Sequence, residues 1–194
     1  MSENLSQNRR ERRFRGVNAS REALVEMNAD EGRPDIETVF QAHYERIARV
    51  IARVLRDPSR AEELAVEVFL KWSRNPGAQG ENAQAWLYRV AVRTGLDELR
   101  RESRRAQRER VVRFFQPSPT PEEIRAAAED QEKVRAVLAV IQPRQAELLV
   151  LRSDGLSYDE LAEALSLKPS SIGTFLSRAE QAFRKEYIQR YGHE

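Results

Sequence analysis

From Asp35 onward, apolar residues return at three- and four-residue intervals. Phe40, Ile47, Ile51, Val54 and Leu55, with Tyr44 beside them, fall on one side of a helix. Asp57-Pro58-Ser59 breaks that helix and opens the next, AEELAVEVFLKWSR. The turn-rich stretch Asn75-Pro76-Gly77-Ala78-Gln79-Gly80 predicts a loop. Ala83 to about Arg105 predicts a long helix with Tyr88, Val92, Leu96 and Leu99 as its core stripe. Gln116–Pro121 carries three prolines in five residues, which no helix tolerates. A second helical unit runs from about Glu122 to Tyr191. Its first helix passes through Val134, Val137, Leu138 and Ile141 and closes at Gln142-Pro143. Pro143 opens a helix carrying Leu148, Leu149 and Leu151. LSYDELAEALSLKPSSIGTFLSRAEQAF then reads as two short helices joined by a tight turn, the outline of a helix-turn-helix.

No alternating strand pattern exceeds four residues, and no internal repeat is present. The expected fold is all-α, two small helical domains on a flexible Pro-rich linker. A polar extension covers residues 1–33, with at most a short helix near Arg21–Asn28. The first domain covers 34–108, the linker 109–130 and the second domain 131–194.

Net charge adds little, because 33 basic residues face 31 acidic ones. Their distribution adds more. Arginines crowd into RRERRFR at Arg9–Arg15 and RRESRRAQRERVVR at Arg100–Arg113. Guanidinium groups suit phosphates and guanine edges, although a solvated helix face or a disordered arm explains each cluster alone equally well. There are no cysteines, which excludes disulfides and thiolate chemistry. No apolar run approaches the roughly 18–20 residues of a membrane span, and the polar N-terminus shows no signal-peptide core. A soluble, cytoplasmic protein without a membrane partner is expected.

Catalytic chemistry finds little support. His43 and His193 are the only histidines and stand far apart in sequence. Gly77-Ala78-Gln79-Gly80 lacks the Lys-Ser/Thr of a phosphate-cradling loop. Glu62, Glu63 and Glu67 form an acidic group of a kind common on helix surfaces. No enzyme activity, metal or cofactor is expected.

Two helices carry more information. In Arg60–Trp72 the residues Leu64, Ala65, Val66, Val68, Phe69, Leu70 and Trp72 span well over half the circumference, while Arg60, Glu63, Glu67 and Lys71 share a narrow stripe. Such a helix is either central in its domain or meets another protein. On the helix from Trp86 to Arg101, the residues Trp86, Arg89, Val90, Arg93, Arg100 and Arg101 lie across from the core stripe. Arginines beside an aromatic suit single-stranded or distorted nucleic acid; Trp86 buried at the helix start, with the arginines as plain backbone contacts, fits as well.

RAEELAVEVFLKW followed by AWLYRVAVRTGLDELRRESRR resembles region 2 of the extracytoplasmic-function (group 4) sigma factors of bacterial RNA polymerase. IQPRQAELLVLRSDGLSYDELAEALSL followed by SRA resembles region 4 of the same family. The ordered pair covers roughly Asp35 to Tyr187. The resemblance implies a promoter-recognition subunit of core RNA polymerase, acting at the nucleoid and often restrained by an anti-sigma factor. It implies that Glu62, Glu63, Leu64, Glu67, Phe69 and Leu70 dock on the β′ clamp helices. It implies that the loop Ser73–Gln84 captures a flipped base of the −10 element. Trp86, Arg89, Arg93, Arg100, Arg101 and Arg104 then grip and melt −10 DNA, and the second domain binds the −35 element and the β flap. The chain departs from the family pattern at Val66, where glutamine is common, and at Arg93, where asparagine is usual. Asn75-Pro76-Gly77 replaces an aromatic–arginine pair.

On the second helix of the helix-turn-helix, Ile172, Leu176, Ala179 and Phe183 form the inward stripe with Phe175 at its edge. Ser170, Thr174, Ser177, Arg178, Gln181, Arg184 and Lys185 point away from it. Lys168, Ser170, Ser171, Thr174, Ser177, Arg178 and Gln181 are the candidate −35 contacts. Gly173 and Phe175 replace the family's usual basic residues, and Gly173 suits close approach of a DNA backbone. Two other readings stand beside the promoter-recognition subunit: a stand-alone helix-turn-helix regulator, and a sigma-like interaction protein that binds DNA weakly.

Overall fold

A computed structural model describes residues 36–80, 82–110 and 122–192. The 1–33 extension, the Pro-rich tether at 116–121 and His193 lie outside the described residues. Seven α-helices, and no strand, form the described fold: α1 Ile36–Val54, α2 Pro58–Ser73, α3 Ala83–Arg110, α4 Glu122–Leu138, α5 Pro143–Ser153, α6 Tyr158–Leu165 and α7 Ile172–Tyr191. Three boundaries differ from those expected. Helix α3 runs five residues beyond Arg105, and α4 ends at Leu138, so that Ile141 packs from a turn. Helix α4 also begins inside the 109–130 stretch read as linker.

Helices α1, α2 and α3 pack on one another around Ile47, Ile51, Leu64, Val68, Phe69, Trp72, Leu87, Val92 and Leu96, all almost wholly removed from water. Phe40 stacks on Tyr44 with ring centroids 4.6 Å apart and tilts against Phe69 at 4.9 Å. The Asp57 carboxylate starts α2 by accepting from the Ser59 and Arg60 amides at 2.9 and 3.2 Å, with Pro58 next to it at a position needing no amide donor. Beyond α2, the buried Trp72 indole donates to the Ala78 carbonyl at 2.9 Å. The Gln79 amide donates to the Trp72 and Ser73 carbonyls at 3.2 and 2.8 Å. Those three bonds tie down a loop that would otherwise be short and polar.

Helix α2 packs against both α1 and α3. Ala61, Leu64, Ala65, Val68, Phe69 and Trp72 are all buried, which accounts for most of its wide apolar arc within its own domain. Val66 and Leu70 are only half-buried.

In the second domain, α5, α6 and α7 enclose Leu148, Leu151, Leu156, Leu161, Leu165, Ile172, Leu176 and Ala179, and α4 lies along α7. Ser157 and Glu160 cap α6 reciprocally: the Glu160 amide donates to Ser157 Oγ at 3.2 Å and the Ser157 amide to Glu160 Oε2 at 2.7 Å. The turn to α7 passes through Ser166 at φ 53°, a left-handed conformation that glycine usually supplies.

Within the first domain, Arg60 Nε donates to Glu98 Oε1 at 3.0 Å and bridges α2 to α3. That hydrogen bond, against the burial of the carboxyl and with Arg101 helping, holds Glu98 below the ordinary glutamate value of 4.5. A carboxylate held low adds stability that is complete above its unfolded value and is lost as pH falls through its folded one. Arg60→Gln is therefore expected to destabilise the chain near neutrality and to flatten its loss of stability below about pH 4.5. Urea unfolding at a series of pH values checks both, and an unchanged acid limb removes Glu98 as its source.

Candidate nucleic-acid interface

Three groups of side chains stand out as candidate contacts, and the fold treats them differently. On α7, the outward side is open. Lys168, Ser170, Thr174, Ser177, Arg178 and Gln181 are exposed, as are Arg184 and Lys185, while Ser171 is half-buried. Opposite them Ile172, Leu176 and Ala179 are buried and Phe183 half-buried, as the periodicity predicts. Pro169–Ser171 forms a single 3₁₀ turn ahead of the helix, so Pro169 starts that turn and not α7 itself. The face offers hydroxyls, one amide and separated cations, a set able to bind phosphates and base edges. Phe175 stays 39% exposed beside a shallow groove of about 210 Å³, lined also by Leu148, Leu165, Leu167 and Arg178.

On α2, the six residues named for docking divide into two sets. Leu64 and Phe69 are 2% and 0% exposed and face the domain's own core, so they have no surface to give a partner. Glu63 is exposed and bonded to Arg60 at 2.8 Å, and Glu62, Glu67 and Leu70 are half-buried around it. One helix cannot turn both its core stripe and its flank outward. The available surface is a strip of carboxylates with a single leucine.

On α3, the arginine face borders the second domain while Arg93, Arg101 and Arg104 keep much of their surface in water. Arg93 Nε donates at 3.0 Å to Glu147 of α5, whose side chain is only 4% exposed. Arg89 reaches Ser166 Oγ at 3.3 Å, in the turn before α7. Trp86, half-buried, lines a cleft of about 270 Å³ with Arg89, Val90, Arg93, Arg144, Glu147, Leu165 and Ser166. The expected open face of arginines thus meets the second domain. Farther along, Arg100 has a side chain 15% exposed and pairs with Asp97 at 3.2 Å, which takes it out of the open face as well. Arg101 pairs with Glu98 at 3.2 Å but remains 69% exposed, and Arg104 is exposed.

Sequence patterns missed the groups that complete this junction. Arg46 and Arg53 on α1 approach Asp154 at 3.9 and 3.5 Å, and the Asp154 side chain is 4% exposed. Arg53 also donates to the Ser153 carbonyl at 2.7 Å. The Arg46 guanidinium lies 4.8 Å from the centre of the Tyr88 ring. Burial pushes the Tyr88 hydroxyl up to about 12, with Arg46 opposing that shift. Burial and nearby Arg46 lower His43, favouring its neutral form. Among the described residues no group of three or more His, Cys, Asp or Glu could hold a metal ion, and no helix is long and apolar enough to cross a membrane.

The comparisons with known proteins match this organisation part by part. Residues 39–105 match the family described as Sigma-70 region 2, and residues 131–183 match Sigma-70, region 4. The chain is 30% identical over 149 residues to the ECF RNA polymerase sigma factor SigK of Mycobacterium bovis, covering 72% of this chain and 76% of that one. It is 26% identical over 166 residues to the ECF RNA polymerase sigma factor SigE of Mycolicibacterium smegmatis. That match covers 83% of this chain but 64% of the relative's length. Among solved structures, it is similar to the sigma factor RpoE of Bartonella quintana, crystallised with the anti-sigma factor NepR. There the TM-score is 0.47 and the identity 18%, covering 78% of this chain and 96% of that one.

Gly173 is a local test of how α7 is tuned. A Cβ added there would meet only Tyr158 Cε2, at 3.8 Å, an ordinary contact. Gly173→Ala is expected to raise stability by about 0.5–1 kcal/mol through helix propensity. Thermal and urea unfolding measure it, and a loss of stability would show that the glycine is required by the fold.

Proposed function

The chain belongs to the extracytoplasmic-function family of RNA polymerase sigma factors, and from that premise we propose how it divides the work of initiation between its two domains. Helix α2 docks on the β′ clamp helices of the core enzyme through Glu62, Glu63, Glu67 and Leu70, with Leu64 and Phe69 holding the helix from beneath. The loop after α2 and the α3 residues Trp86, Arg89, Arg93, Arg101 and Arg104 engage the −10 element. The outward face of α7, with Lys168, Ser170, Ser171, Thr174, Ser177, Arg178 and Gln181, reads the −35 element, while the second domain rests on the β flap. The role is non-catalytic and is exercised at the nucleoid. An anti-sigma factor is a further expected partner, as the resemblance to the family implies.

The observation that carries this reading is the order of the two matches, region 2 on α1–α3 and region 4 on the helix-turn-helix. In vitro transcription with core polymerase on genomic fragments tests it: addition of the chain should yield defined start sites. Stable core binding without initiation on any fragment would leave a sigma-like interaction protein instead. Specific duplex binding without core would leave a stand-alone regulator.

Two substitutions probe the faces separately. Leu70→Asp and Glu67→Lys are each expected to weaken core binding by about tenfold or more, the scale of a moderate interface hot spot, without loss of helicity. Arg178→Ala is expected to cost about 1–3 kcal/mol of −35 discrimination if it meets a base, and only a shallower salt dependence if it meets phosphate. Filter binding of the holoenzyme across salt concentrations separates those two outcomes.

A further inference from the structure

We infer that Gln79 is a positioning residue for −10 recognition: its side-chain amide holds the loop after α2 in one shape before DNA arrives, and base discrimination by that loop depends on the shape. The part in discrimination rests on the reading of this loop as a −10 contact; the fixed shape rests on geometry alone.

Helix α2 ends at Ser73, and its last carbonyls have no helical amide one turn further on to receive. The Gln79 side chain turns back from the far side of the loop and supplies two donors. Its Nε2 lies 3.2 Å from the Trp72 carbonyl and 2.8 Å from that of Ser73. Two carbonyl acceptors can be met only by the nitrogen of an amide, so its neighbours dictate which way the group faces. The other end, Oε1, is buried and has no hydrogen-bond partner among the described residues. The side chain therefore acts through its donors alone. Backbone bonds close the turn itself: the Asn75 amide donates to the Trp72 carbonyl at 3.0 Å, Ala78 to Asn75 at 2.9 Å and Gln79 to Pro76 at 3.2 Å. From inside, the buried Trp72 indole holds the Ala78 carbonyl at 2.9 Å. The loop is thus tied to the end of α2 from both of its sides.

Packing does not hold this loop. A Cβ added at Gly77 would meet only Asn75 Oδ1, at 3.6 Å, and one added at Gly80 would meet nothing within 4 Å. The aromatic–arginine pair of the family pattern is absent, so no large ring or fork stands ready to close on a base. What the loop and the start of α3 expose instead are the short amides Asn75, Asn82 and Gln84, whose paired donor and acceptor suit an adenine edge. Short amides discriminate only where the backbone keeps them in register with the base. A loop that must be ordered on binding gives up part of that selectivity. Gln79 supplies the register without touching DNA.

Three variants of the full chain test this. Gln79→Met keeps the length of the side chain and removes its donors. Gln79→Lys keeps donors and drops the acceptor that finds no partner, beside carbonyls at a helix end that favours a cation. Asn75→Ala/Gln84→Ala removes two exposed amides and leaves the pinning bonds in place. Each protein is assembled with core polymerase, and its affinity for core is measured by fluorescence titration. The holoenzymes are then equilibrated with single-stranded DNA decamers of randomised sequence, and the bound fraction is sequenced to give the base preference at each position. The unaltered holoenzyme is expected to favour one base at one position by about tenfold, the scale of a well-placed base contact. Gln79→Met is expected to lower that preference to about twofold and Gln79→Lys to retain it, with core affinity unchanged in both. Preference unchanged in Gln79→Met overturns the positioning role. The reading of the loop survives that result if Asn75→Ala/Gln84→Ala loses preference, and falls with it if that variant is unchanged too. Equal loss in Gln79→Met and Gln79→Lys, or a parallel loss of core affinity, also overturns the role, because the side chain then serves packing and not donation. A holoenzyme that prefers no base at any position overturns both the role and the reading of the loop.

Discussion

A carboxylate removed from water must find a cation or an array of donors, and two such groups set the relation between the halves of this molecule. Asp154 and Glu147 stand at the end and in the middle of α5, and the cations at hand are Arg46, Arg53 and Arg93. Arg46 and Arg53 are seven residues apart on α1, so both fall on the same side two turns apart and converge on one acid. Arg93 lies on the neighbouring helix and fixes the other. Two anchor points on two packed helices leave little freedom to rotate. The remainder of the junction includes buried apolar groups, Leu165 among them, and the hydrophobic core runs on from one half into the other.

The same reasoning explains why α2 has so little to offer outward. In this domain all three helices pack on one another, and α2 turns a broad apolar side toward both of its neighbours. Its six buried residues leave only a strip where Glu62, Glu63, Glu67 and Leu70 reach the surface. The Asp57 cap at its start and the Trp72–Ala78 and Gln79 bonds at its end fix both termini. An acidic strip with fixed ends is a rigid element on which a basic or mixed helical partner can settle with little loss of conformational freedom.

Much of this was legible in the residues, and what was not has a common cause. Helices betray themselves through local periodicity, so the inward stripe of α7 and the core stripe of α3 follow from spacing alone. Leu64 and Phe69 show the limit of carrying roles over by motif: a motif names positions along a chain, whereas exposure depends on which helices flank it. Arg93 shows the other limit. Its type suggests phosphate contact, and nothing nearby in the sequence marks Glu147 as its partner. Asp154, lying in an ordinary turn sequence beside Gly155, gave no sign that two arginines of α1 would meet it. The Ser157–Glu160 capping box, by contrast, has a recognisable spacing and needed only to be looked for.

The chemistry of α7 bears on how the two DNA faces work together. Its outward residues are small hydroxyls and one amide among four separated cations, Lys168, Arg178, Arg184 and Lys185. On the proposed reading, useful affinity then depends on engaging both DNA faces at once. Joining two weak sites on one chain raises affinity through effective concentration only if the geometry permits both to bind together. Arg89 and Arg93 each have a partner within the molecule, Ser166 and Glu147. A partner that fixes both domains, as docking of α2 and of the second domain at separate points on the polymerase would, changes no DNA contact directly. It sets the geometry in which two modest faces add, because each binds more tightly when the other is already engaged.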